Sequence, residues 1–70
     1  MSESAYRIVE VVGTSPTSWE EAAKMAVNVV SEHVRDLRVA EVVKLDMAME
    51  NGKIAHYRAR LNLSFKYEKP

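Results

Sequence analysis

Asn51-Gly52 sits between two long runs of alternating side chains, and no other feature of the chain constrains its fold as tightly. Asn-Gly is the strongest short hairpin signal, because both central residues of a type I′ turn need positive φ. From Leu37 onward the period is two. Val39, Val43, Leu45, Met47 and Met49 are expected on one face, with Arg38, Lys44, Asp46 and Glu50 on the other. After the turn, Ala55, Tyr57, Ala59, Leu61, Leu63, Phe65 and Tyr67 alternate with His56, Arg58, Arg60, Asn62, Ser64 and Lys66. Each strand is then about 13 residues, or roughly 40 Å at about 3.3 Å per residue, against a usual five or six.

The segment before the hairpin reads as a strand and a helix. Ala5 to Val12 is rich in β-formers (Tyr6, Ile8, Val9, Val11, Val12), and Gly13-Thr14-Ser15-Pro16-Thr17 is expected to end it as a turn. Ser18-Trp19-Glu20-Glu21 is a capping-box pattern, with Ser18 as N-cap and two acids in the first helical turn. Trp19, Ala22, Ala23, Ala26, Val27, Val30 and Val34 recur every three or four residues, which predicts a helix running to about Arg35. The order is β-α-β-β, an α+β class. If directions alternate, placing the third strand in the middle gives a three-stranded antiparallel sheet packed on one helix.

At 70 residues the chain is a single domain, 1–70, with a marginal core. Small domains are usually reinforced by disulfides, a structural metal or oligomerisation. There is no Cys, and His33 and His56 fall in different predicted elements, so self-association is the remedy left. The strand length agrees. A helix of about 18 residues covers roughly 27 Å and cannot shield both hairpin strands along their length, so the overhang calls for another subunit.

Ten basic and ten acidic residues cancel, which argues against a general nucleic-acid binder. No apolar run approaches a membrane span and the N-terminus lacks a signal pattern, so the expected location is the cytoplasm. Catalysis finds little footing. Ser15 and Ser18 are explained by a turn and a cap, and Glu20 and Glu21 do not face each other on a helix. The stripe His56, Arg58, Arg60 and Lys66 reads as a charged sheet face neutralised by Asp46 and Glu50, with a basic ribbon for nucleic acid as the alternative. Trp19 reads as core or interface, or else as a stacking platform for a ring ligand. Asp46 and Glu50 are four apart on one strand face, too far to share a hard cation unless other subunits contribute.

Taken in order, Val12-Gly13-Thr14-Ser15, Ser18-Trp19-Glu20-Glu21-Ala22-Ala23, Leu37-Arg38-Val39-Ala40-Glu41-Val42 and Ser64-Phe65-Lys66-Tyr67 resemble a dodecin across nearly the whole chain. The resemblance implies a non-catalytic β-α-β-β subunit, twelve copies of which form a hollow shell of cubic symmetry. It implies a flavin ligand (riboflavin or FMN) bound as a stacked pair near the two-fold axes. In the family a tryptophan stacks on the flavin and a glutamine hydrogen-bonds it; the matching positions here are Val39 and Arg58. Valine offers no ring, and arginine lacks the acceptor half of an amide. Losing such a platform costs about 1–3 kcal/mol by analogy with base stacking. Arg58 would instead attract an anionic group such as a phosphate. The Thr-Ser-Pro-Thr-Ser-Trp-Glu segment is closer to a family branch associated with calcium, whose ligands would come from several subunits, from residues such as Glu41, Asp46 or Glu50. The expected function is therefore holding or storing a small ligand, flavin first and a divalent cation second.

Overall fold

A computed structural model describes residues 4–67. Strand β1 (Tyr6–Ser15) is followed by helix α1 (Trp19–Ser31) and by the long hairpin of β2 (Leu37–Glu50) and β3 (Lys53–Lys66). The sheet order is β1-β3-β2 with both pairings antiparallel, so the third strand is central as the sequence predicts. Asn51 and Gly52 have φ of 53° and 76°, which is the type I′ requirement met at both positions. At the helix start the Ser18 side chain accepts a hydrogen bond from the Glu21 amide at 3.0 Å.

Two boundaries differ from the sequence reading. Strand β1 continues through Gly13 to Ser15, because Gly13 is a contact residue and not a turn. A Cβ there would run into the Ala22 carbonyl oxygen and lie 2.9 Å from the Ala26 Cβ. The missing side chain thus lets α1 press onto β1. The reversal is made after it, where the Ser15 hydroxyl accepts the Thr17 amide at 3.0 Å. At the other end, α1 stops at Ser31 and not near Arg35. The amides of His33 and Val34 both turn back to the Val30 carbonyl, and Asp36 takes a left-handed φ of 57°. The Asp36 carbonyl then receives the Lys66 amide at 3.1 Å, which fastens the entry to β2 against β3. Val34 continues the apolar period but lies beyond the last helical turn, tied to it only by its amide.

The core is small. Ala22 and Ala26 of the helix meet Ala59, Leu61 and Leu63 of β3, with Val11, Ala23, Val27, Val30 and Leu37 around them. Alanine on the helix permits the close approach that Gly13 completes. The helix lies over β1 and β3 and barely touches β2. Cover is therefore missing sideways as well as lengthwise, in a molecule 53 Å long.

The face assignment of β2 needs correcting. Register breaks fall between Leu37 and Val39, Val42 and Lys44, and Ala48 and Met49. Opposed residues of an antiparallel pair share a face. Val39 pairs with Ser64 and so points away from the helix, while Ala40 and Val42, opposite Leu63 and Leu61, point toward it. Val43 is the extra residue of the second break. Leu45 and Met47, opposite Ala59 and Tyr57, return to the helix side, and Met49 leaves it again opposite Ile54.

Candidate functional site

The side of the sheet that faces away from α1 carries the polar residues, laid out in rows by the register. Thr14, Arg58 and Asp46 form one row; Val12, Arg60 and Lys44 the next; Glu10, Asn62 and Glu41 the third; Ile8, Ser64 and Val39 the fourth. Alternation along β3 places His56, Arg58, Arg60 and Lys66 on one face, as the sequence indicates. Of the two carboxylates expected to neutralise them, Asp46 does so and Glu50 stands opposite Lys53 at the hairpin end.

The Arg58 Nε donates to Asp46 Oδ1 at 2.8 Å, and the two side chains are 37% and 40% exposed. The hydrogen bond from Arg58 holds the Asp46 carboxyl below its ordinary value against the opposing effect of desolvation, with lesser help from the charges of Arg58, Lys44 and Arg60. Arg58 is thus already engaged by a carboxylate of its own chain, which weakens its attraction for an incoming anion.

Behind this pair, on the helix side, Trp19 Nε1 donates to the Asp46 carbonyl at 3.0 Å. Its ring meets Tyr57 edge-on, with centroids 5.1 Å apart and planes at 75°. Trp19 is therefore a packing residue that ties the start of α1 to both hairpin strands, on the face opposite Arg58.

Val39 is 54% exposed at the far end of the same face as Arg58. Its partner Ser64 stands six positions from Arg58 along β3, or roughly 20 Å. One chain does not bring Val39 and Arg58 together; a site using both must draw them from different copies. Nor do Glu41, Asp46 and Glu50 gather. Among the described residues no three His, Asp or Glu side chains come close enough to hold a metal ion. The helix side holds a second candidate surface. Val42, Leu45 and Met47 are exposed there on β2, and Met25 and Val29 are exposed along α1. Val12, Thr14, Met25 and Val29 border a groove between α1 and β1. No helix among the described residues is long and apolar enough to cross a membrane.

A small β-α-β-β subunit with a Gly-mediated helix–strand contact, an oversized hairpin and bare apolar strips on both flanks of its helix defines a narrow class. The dodecin family model matches residues 5–68, and the chain belongs to the dodecin family. A curated relative, calcium dodecin of Mycobacterium tuberculosis, is 46% identical over 63 residues, covering 90% of this chain and 89% of the relative. The dodecin structure from Streptomyces coelicolor superposes with a TM-score of 0.93 at 38% identity, over the full length of both chains. The crystal structure of the M. tuberculosis calcium dodecin, described as a calcium-chelating antigen with a novel calcium-binding site, gives a TM-score of 0.83 at 43% identity. That likeness covers 96% of this chain and 99% of the other.

Proposed function

We propose that the chain assembles with copies of itself into a hollow dodecameric shell that binds a small ligand where subunits meet and catalyses no reaction. The observation that carries this reading is the bare apolar strip of Val42, Leu45 and Met47 on the helix side of β2. A second apolar surface, the α1–β1 groove, lies on the other flank of the helix. A strip and a groove on opposite flanks suit a head-to-tail contact, which closes into a ring when the rotation allows.

Calcium is the ligand best supported. The 46% identical relative is named a calcium dodecin. The alternative, a flavin lined by Val39 and Arg58, lacks a stacking ring at the first position and finds the second occupied by Asp46. Calcium takes six to eight oxygens, and one chain offers no such cluster among its described residues. The ligands would therefore converge from several copies, with Glu41, Asp46 and Glu50 as the carboxylates available on the hairpin.

Size exclusion with light scattering tests the assembly, with an absorbance spectrum and metal analysis on the same peak. The expected result is a mass near twelve times 7.9 kDa and calcium in the peak. A colourless peak whose riboflavin titration shows no quenching removes the flavin alternative. A monomer of 7.9 kDa overturns the proposal.

A further inference from the structure

The second break in β2 has a chemical consequence. Glu41 and Val42 stand opposite Asn62 and Leu61; in unbroken register Val43 would then meet Arg60, and Lys44 would turn toward the helix opposite Ala59. The extra residue at Val43 instead sets Lys44 directly across from Arg60. Bulges re-aim side chains in this way and concentrate near functional sites. Directly opposed residues have Cβ atoms about 4.5–5.5 Å apart, and like charges so placed repel. The chain thus uses an irregularity to bring two cations together.

Among the described residues no carboxylate stands directly opposite either of them. Val12 is Arg60's partner on β1. Asp46, the carboxylate in the neighbouring row, is engaged with Arg58. Glu10 and Glu41 stand in the row on the other side, flanking Asn62, yet among the described residues neither Lys44 nor Arg60 makes an ion pair. Of the carboxylates on this face, Asp46 is held by Arg58, and Glu10 and Glu41 lie one row beyond Lys44 and Arg60.

We infer that Lys44 and Arg60 form a binding site for a phosphate-type oxyanion on the sheet face away from the helix. The guanidinium supplies a planar fork of donors and the ammonium a compact charge beside it, a combination suited to a tetrahedral dianion. The anion relieves the Lys44–Arg60 repulsion. The site lies one row from Arg58, and it does not depend on whether the assembled protein takes calcium or flavin.

The test is inorganic phosphate titrated into the assembled full-length protein at constant ionic strength, read by calorimetry and by the thermal midpoint. Saturable binding is expected, with a rise in midpoint that sodium chloride at equal ionic strength does not give. Lys44→Gln and Arg60→Gln should each weaken phosphate binding about tenfold, the loss of one charge-assisted contact. Arg60→Lys, which keeps the charge and loses the fork, should fall between them and the parent. Lys66→Gln, at the far end of the same face opposite Tyr6, should bind like the parent. The inference is overturned if phosphate acts no differently from chloride, or if the Lys44 and Arg60 variants bind as the parent does. It is also overturned if light scattering shows that either glutamine variant dissociates, because the two cations would then be paired with carboxylates of another copy.

Discussion

Asp46 is held from two sides, its carboxylate by Arg58 and its carbonyl by the Trp19 indole. The carboxyl titrates below its ordinary value of 3.8 in the folded protein. A depressed pKa contributes stability that is present above the unfolded value and is lost as pH falls through the folded one. Asp46→Asn should therefore be less stable than the parent at neutral pH. The gap should close as pH drops below about 3.8, where the unfolded chain binds its proton first. Urea unfolding from neutral pH down to about pH 2.5 checks this, and a gap that stays constant would show that the ion pair contributes nothing. Gly13 makes a different demand. Gly13→Ala would push a methyl group against the Ala22 carbonyl, which belongs to helix backbone and cannot swing aside. The expected loss is about 1–3 kcal/mol, the usual cost of overpacking, read from the urea midpoint. The sequence offers no sign of this role, because a glycine before Thr-Ser-Pro-Thr has every mark of a turn.

At the level of elements, what could be read in advance was whatever rests on local chemistry. Asn51-Gly52 encodes its own turn, Ser18 and Glu21 encode the helix start, and β3 alternates without a break from His56 to Lys66 because one of its faces packs on the helix. Strand β2 defeats the same reading. With Val42 and Val43 both apolar, the pattern continues plausibly in either frame, and only pairing with β3 shows where the extra residue goes. For that reason Val39 faces away from the helix where simple alternation turns it inward, and the meeting of Lys44 with Arg60 depends on the same extra residue. The ion pair of Arg58 with Asp46 was half legible, since alternation put both on one face but could not set them opposite each other. The hairpin turn allows a clean contrast with Gly13. A Cβ on Gly52 would meet nothing within 4 Å, yet its φ is 76°. Gly52→Ala should therefore cost about 1 kcal/mol through backbone strain alone. The mass of the assembly should be unchanged, as unfolding curves and light scattering on the same variant will show.

For the whole molecule the limiting fact is how little one copy buries. Among the described residues three alanines and two leucines make up the buried apolar set, while Val42, Leu45, Met47, Met25 and Val29 remain exposed. A chain of this size buries only about 60% of its unfolded surface, too little to be stable with room to spare. Stability should then come from association, so folding and assembly are one equilibrium and the unfolding midpoint must depend on protein concentration. A tenfold dilution should lower the urea midpoint measurably, whereas a self-sufficient monomer would show no change. Leu45→Glu sharpens the test. Leu45 is 47% exposed, so the substitution costs an isolated subunit little. Within the assembly it would bury an unpaired carboxylate, a loss of several kcal/mol. The variant should therefore elute as a poorly folded small species, with helical circular dichroism lost together with mass. A Leu45→Glu protein that keeps both its mass and its thermal midpoint would show that the bare flank of β2 is not where the copies meet.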